Sequence, residues 1–486
     1  MKMRKYLIIL IAVVFMSKSF GQTRHLIDVK DEVANTNYKD VKIKDIPMAM
    51  QCWTFRNISF METLEKVNKL GIKYLEAYPG QRLLKDNEDK KFGIGMSEGD
   101  VILVKQALKK YGITLRAFGV TNFEHNEAAT REVFEFVKTM GIKVLVTEPK
   151  YDDFSFIDKM VKEYNIKVAV HNHPKPSKYW NPETVLKNVE GLDKRIGLCG
   201  DIGHYVRSGI NPVEALRFFK GRVYNIHLKD LESFGIREAM DVPFGSGKSN
   251  IHDVLAELTL QNYRGTMSVE HERKDEQPDP SASIAKGLEY IKSIIYYKGF
   301  EEILRCDENG NYNKHGWNHY GPGYFVLDEK EGVLTSNGGM GLYWYSAKKY
   351  ENFILDLEFK SLSPKTNSGV FIRVPNMLTS NDYIHHSFEI QIADGGKNAI
   401  HTTGAVYDAE PAKVNAVNPA GEWNHYRITN NGNNIKVELN GKLVNDWNEE
   451  PRGKIKDFSL SGYVGLQNHD SDAKVSFRNI FVKELK

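Results

Sequence analysis

The chain has 486 residues, 41% hydrophobic and 27% charged, the balance of a globular protein long enough for two domains. Its 66 lysines and arginines nearly cancel its 63 aspartates and glutamates, leaving a formal net charge of +3 without any block of like charge. This excludes a largely disordered chain and offers no basic stripe to draw in a nucleic acid.

Lys2, Arg4 and Lys5 precede an apolar run over residues 6–16, followed by small residues at Ser19 and Gly21. This is the pattern of a cleavable signal peptide over residues 1–21, so the protein is expected to be exported, to the periplasm, with Gln22 as its new N-terminus. The run is about half of the ~20 residues a membrane span needs, and no later stretch is more apolar, so no stable membrane insertion is expected. Three cysteines, Cys52, Cys199 and Cys306, are too few and too scattered for a disulfide framework and read as buried and inert.

Residues 22–46 are a polar lead-in. From 47 to 298 short apolar runs alternate with stretches of helical periodicity. The strand candidates are 48–55, 72–77, 114–119, 143–147, 167–170, 196–199, 223–227 and 266–270; helices fit between them, with a last one at 281–297. Gly71, Gly112 and Gly141 each precede an isoleucine at the end of a helical stretch, where a left-handed residue is wanted. Eight strand–helix cycles in about 250 residues are the count and size of a (β/α)8 TIM barrel. From 299 to 486 the helical period vanishes and Gly, Asn, Tyr and Trp become frequent. Alternating runs at 353–359, 369–374, 388–392, 423–429, 435–439, 462–467 and 475–484, with an Asn440-Gly441 hairpin signal, predict an all-β sandwich of the jelly-roll kind.

Barrel chemistry sits at the C-terminal ends of the strands. Read in order, those ends offer Glu76, Glu148, His171 with His173, Asp201 with His204, His227 with Lys229 and Asp230, and Glu270 with Glu272. Carboxylates gathered on one rim repel one another, and a cation relieves the repulsion. Glu148, Asp201, His227 and Glu270 make the best ligand set. Mostly oxygen donors without thiolates suit Mn²⁺ or Mg²⁺, with Co²⁺ or Zn²⁺ also compatible.

The runs 199–204 (CGDIGH), 225–230 (NIHLKD), 245–247 (GSG) and 268–270 (SVE) resemble the xylose isomerase-like barrels of the sugar phosphate isomerase/epimerase superfamily. The resemblance implies a carbohydrate substrate, metal binding by Glu148, Asp201, His227 and Glu270, acid/base roles for Glu148 and Glu270, and substrate contact by His204. His171 is a further candidate base; His173, Lys229 and Glu76 are candidate substrate contacts. The three-zinc DNA-repair members of that fold need extra histidines at strands 2 and 3, but strand 3 ends in Ala117-Phe118-Gly119.

In the C-terminal half, the segments 367–373 (NSGVFIR), 389–391 (EIQ), 403–407 (TGAVY), 421–424 (GEWN), 465–469 (GLQNH) and 477–480 (FRNI) resemble the 3-keto-disaccharide hydrolase family, which has a concanavalin-like sandwich. Arg373, Glu389, Gln391 and His469 are the polar candidates there. Together the two resemblances imply proton abstraction beside a keto group, as in a metal-dependent 3-keto-glycoside lyase, hydratase or hydrolase. A sugar isomerase or epimerase, and a carbohydrate-binding protein with an inert barrel, are the alternatives.

Overall fold

The computed structural model describes residues 25–307, 310–375, 378–395, 398–469 and 471–486; the expected signal peptide lies outside them. The chain forms two compact units. The first comprises the described residues up to Val41 together with Ile46–Gln261 and Gly265–Ile294; the second comprises Lys42–Asp45, Asn262–Arg264 and the described residues of Ile295–Lys486.

In the first unit eight parallel strands close into a barrel: β1 (Met48–Gln51), β2 (Tyr74–Ala77), β3 (Thr114–Thr121), β4 (Val144–Thr147), β5 (Lys167–His171), β6 (Ile196–Asp201), β7 (Val223–Leu228) and β8 (Thr266–Val269). Every strand pairs with its sequence neighbours, and β8 closes on β1. Helices cover the outside, so the strands are buried on both faces and read as continuous apolar runs. Local signals set the helix ends. Ser59 and Glu62 form a reciprocal capping box ahead of Phe60–Lys69. Gly71, Gly112 and Gly141 take φ of +74°, +62° and +73°, ending their helices in the left-handed conformation open to glycine.

The first strand is shorter than its apolar run. At Gln51 the side-chain oxygen accepts from Trp53 N (3.1 Å) and turns the chain into a 3-10 turn, Cys52–Phe55. A helix at Ile202–Arg207 is too short to show a period in sequence; its cap is Asp201, whose Oδ1 accepts from His204 N at 2.8 Å.

The second unit is a sandwich of antiparallel sheets. One has strands in the order Tyr324–Asp328, Val333–Asn337, Val475–Glu484, Phe353–Ser361, Asn424–Asn431, Asn434–Leu439 and Lys442–Asn448, with Glu301–Glu302 added beside Val475–Glu484. The other runs Trp317–Tyr320, Gly341–Tyr345, Tyr463–Asn468, Asn367–Val374 and Phe388–Ala393. Alternate residues such as Leu355, Leu357, Ile428 and Val437 from the first meet Val370, Ile372, Ile390 and Leu466 from the second in one core. Asn440 and Gly441, at φ +50° and +76°, make the expected hairpin turn. Cys52 and Cys199 are buried, whereas Cys306 is only partly so, its Sγ accepting from Arg264. No helix among the described residues is long and apolar enough to cross a membrane.

Candidate metal centre at the barrel mouth

The C-terminal ends of the strands surround a cavity of about 310 Å³, within the usual range for small-ligand sites. Its lining includes His171, His173, His204, His227, Glu270 and Glu272. Asp201 Oδ2, fully buried, is the centre of the cluster. It lies 3.5 Å from His171 Nε2, 3.5 Å from His204 Nε2, 3.7 Å from His227 Nδ1 and 3.1 Å from Lys229 Nζ. Glu270 Oε2 is 3.0 Å from His227 Nδ1 and 3.2 Å from Lys229 Nζ.

The far nitrogen fixes the His227 ring. Nε2 sits 2.9 Å from Glu76 Oε1, and the other oxygen of Glu76 accepts from Asn225 Nδ2 (2.8 Å) and Ser268 Oγ (2.6 Å). With Nε2–H donating to Glu76, Nδ1 presents its lone pair to the cluster. This places Glu76 away from its expected substrate contact. It is fully buried inside the barrel, and both its oxygens are engaged. Burial opposes charge on His227, but the groups around it, Cys199, Glu76 and Glu270 among them, outweigh burial and raise its pKa well above the usual imidazole range, so that a cation at Nδ1 would have to displace a proton to reach that lone pair.

Glu148 belongs to a neighbouring group. Its Oε1 is 2.8 Å from His171 Nδ1 and also contacts His173 Nδ1. Burial works to raise its pKa, but the two imidazoles prevail and bring it down to about 2. His171 therefore bridges Glu148 on one nitrogen and Asp201 on the other. His204 stays neutral: burial drives its pKa well down, and Arg207 NH1 lies 3.2 Å from its Nδ1. Lys229, 1% exposed, joins the cluster to Glu272, at 2.6 Å.

A divalent cation fits this centre. His171 Nε2, Asp201 Oδ2, His227 Nδ1 and Glu270 Oε2 are buried and lack hydrogen-bond partners among the described residues. Asp201, His227 and Glu270 bring their ligand atoms within 4.8 Å of one another, as do His171, Asp201 and His204, and Glu148, His171 and His173. Of the four expected ligands, three thus share one triplet, and Glu148 stands beside it through His171. The bridging position of His171 is not visible in sequence, where it is one polar residue at a strand end among several.

The Gly245-Ser246-Gly247 loop serves Asp230 rather than the cavity. The Asp230 carboxylate accepts from Gly245 N (2.8 Å), Gly247 N (2.9 Å) and Ser249 N (3.0 Å), and a Cβ at Gly247 would fall 2.3 Å from Asp230 Oδ1.

The second-unit candidates do not form one group. Arg373 is fully buried in a structural ion pair, Nε to Glu449 Oε1 at 2.7 Å, which removes it from any binding role. Glu389 and Gln391 lie on one face of Phe388–Ala393, opposite to Phe388, Ile390 and Ile392 in the core. The Gln391 amide, in the orientation that satisfies its neighbours, donates to Ser368 O (2.9 Å) and Glu389 Oε1 (3.0 Å). Burial raises the Glu389 pKa to about 8, against the weaker opposing field of Lys454. His469 is half-buried just past Tyr463–Asn468.

Comparison with known proteins agrees with this division. Residues 64–294 match the xylose isomerase-like TIM barrel family, and residues 306–483 match the 3-keto-alpha-glucoside-1,2-lyase-like domain. Inosose dehydratase of Clostridium perfringens is 26% identical over 249 residues, covering 40% of this chain and 81% of that enzyme. Inosose dehydratase of Mesomycoplasma hyopneumoniae is 23% identical over 286 residues, 49% of this chain and 90% of its own. Among solved structures, an uncharacterized protein of Parabacteroides distasonis is 30% identical, covering 51% of this chain and 98% of its own with a TM-score of 0.43. The chain belongs to the xylose isomerase-like TIM barrels over residues 64–294 and to the 3-keto-alpha-glucoside-1,2-lyase-like domains over residues 306–483.

Proposed function

We propose that the protein is a metal-dependent carbohydrate enzyme that removes a proton beside a ketone and expels the neighbouring substituent, cleaving 3-keto-glycosides. The observation that carries this is the convergence of four buried ligand atoms, on His171, Asp201, His227 and Glu270, that make no hydrogen bond among the described residues, at the mouth of the barrel. The inosose dehydratases support elimination over epimerisation, since dehydrating an inosose is loss of water beside a ring ketone.

In a 3-keto-glycoside the C2 proton is acidified by the ketone. Glu270 takes that proton, the C1–C2 double bond forms, and the C1–O bond breaks. The leaving oxygen takes a proton from the His173–Glu148 side of the site. Addition of water, oxygen to C1 and hydrogen to C2, then yields the free 3-keto sugar and the released partner. Glu270 works as the base and the Glu148–His173 pair as the acid, with the proton carried on the imidazole because Glu148 is held ionised, while His171, Asp201, His227 and Glu270 would hold the ion. General acid–base help of this kind is worth ~10²–10⁴-fold. A divalent cation, Mn²⁺ by preference and Co²⁺ or Zn²⁺ by the same mixed nitrogen and oxygen donors, supplies positive charge for the oxygen that becomes anionic as the proton leaves. His204, which lines the cavity beside Asp201, is the substrate contact in this reading; Lys229, expected from sequence to be another, is buried against Asp201, Glu270 and Glu272 and does not line the cavity.

Metal-loaded and chelated protein incubated with a 3-keto-disaccharide tests it: metal-dependent release of free monosaccharide is expected. Release that survives chelation moves the chemistry to the sandwich. Deuterium uptake from solvent without release makes the protein an epimerase. Export is part of the proposal, and N-terminal sequencing of protein recovered from the periplasm should begin at Gln22.

A further inference from the structure

Trp53 is an exposed indole held unusually firmly. It lies in the 3-10 turn after β1, is 41% exposed and lines the same cavity as the metal centre. Its Nε1 donates to Glu272 Oε1 at 3.1 Å. The edge-on ring of Tyr78 is 5.0 Å away at 80°, and the Arg56 guanidinium is 5.6 Å from the indole. Arg56 in turn donates to Trp53 O (3.2 Å) and Glu272 O (3.3 Å). Glu272 thus ties the indole to Lys229, and through it to Asp201 and Glu270. Tyr78 and Pro79 continue the wall of the cavity beside Trp53.

An aromatic ring left partly in water but pinned on several sides offers a preformed apolar face at little entropic cost. The face of a pyranose ring carries C–H groups of slight positive charge, complementary to the negative face of an indole. The cluster of ionisable groups takes the ring that reacts, which leaves the aromatic wall for a second one. We propose that Trp53 and Tyr78 form a second sugar subsite, making the preferred ligand a disaccharide rather than a monosaccharide. This rests on the carbohydrate reading of the barrel but not on the reaction assigned to it.

The test is isothermal titration of the full-length, metal-loaded protein with an ordinary, unoxidised disaccharide and with its constituent monosaccharide, neither of which carries the C3 ketone that the elimination requires. The disaccharide is expected to bind about tenfold more tightly, the scale of one good aromatic contact. Trp53→Phe, which keeps a ring face but loses the Glu272 bond, should retain most of that preference. Trp53→Ala and Trp53→Leu should abolish it, the leucine separating stacking from mere apolar bulk. Equal affinity for the two sugars, no binding of either, or an undiminished preference in both Trp53→Ala and Trp53→Leu overturns the proposal. Turnover of a 3-keto-disaccharide, measured separately, can fail while the Trp53-dependent preference stands.

Discussion

His227 Nε2 lies 2.9 Å from Glu76 Oε1, and this one contact decides which face of the imidazole looks into the cavity. Glu76 Oε2 is already an acceptor for Asn225 and Ser268. Glu76→Gln would turn an amide N–H₂ toward those two donors or toward the His227 N–H, so one pairing must break in either orientation. Loss of such an outer carboxylate lowers metal affinity by about 10–100-fold. Titration of Mn²⁺ into the chelated variant should show that drop, and an affinity equal to wild type would remove Glu76 from the centre's support.

Asp201 and Glu270 are buried carboxylates facing a common space, so a bound cation should stabilise the fold as well as serve the reaction. A ligand at a hundred times its dissociation constant adds about 2.7 kcal/mol. Scanning calorimetry with and without Mn²⁺ should register that as a rise in the barrel transition. Asp201→Asn should abolish the rise together with sugar release. A metal-induced shift that persists in Asp201→Asn would place the ion elsewhere.

Lys229 Nζ is 3.1 Å from Asp201 Oδ2 and 3.2 Å from Glu270 Oε2, making it the protein's own counter-charge for both. Lys229→Met leaves those carboxylates, and Glu272 as well, without it. Breaking a buried pair in this way costs about 3–5 kcal/mol. The loss should appear in the chelated protein and shrink once metal is added. Equal destabilisation in the loaded and chelated forms would mean that Lys229 acts through packing alone.

The barrel was readable from sequence because doubly covered parallel strands make short continuous apolar runs, and Gly71, Gly112 and Gly141 mark the helix ends before β2, β3 and β4. The polar residues that follow those runs were readable for the same reason. Their directions were not. Glu76 precedes the last residue of β2, yet its side chain turns into the barrel, because Asn225 and Ser268 on β7 and β8 supply partners there. Nothing local announces donors 149 and 192 residues away. Arg373 misled in the same way: it sits on an alternating strand, but its partner Glu449 is 76 residues on and equally buried.

That buried pair has its own consequence. Arg373 takes φ of +58°, donates from Nε to Glu449 Oε1, and reaches Leu460 O and Gly432 O with its remaining nitrogens. Arg373→Ala would leave Glu449 buried with only Asn430, among the described residues, donating to its side chain, and the expected loss is about 3–5 kcal/mol. Combining it with Glu449→Leu should recover part of that loss, because no charge is then left stranded. Calorimetry of the sandwich transition reads both, and a double variant worse than the sum of the two singles would contradict the ion-pair account.

Glu389 makes the sandwich sensitive to pH with a definite sign. Its carboxyl is 6% exposed, and burial raises its pKa to about 8. The unfolded chain releases this proton near the ordinary glutamate value of ~4.3. Between the two values the folded state binds more protons than the unfolded one, so stability falls as pH rises. The contribution is complete below ~4 and is lost progressively up to about 8. At ~1.4 kcal/mol per unit, discounted for relaxation around the charge, the total is about 3 kcal/mol. Glu389→Gln has no proton to lose, so the variant should gain on wild type as pH is raised from 5 to 8 and level off above that. The Gln391 amide 3.0 Å from Glu389 Oε1 can serve either form as a neighbour, which keeps the substitution conservative. Urea unfolding of the two proteins across that pH range measures the difference, and parallel pH profiles would show that Glu389 is already ionised in the folded sandwich.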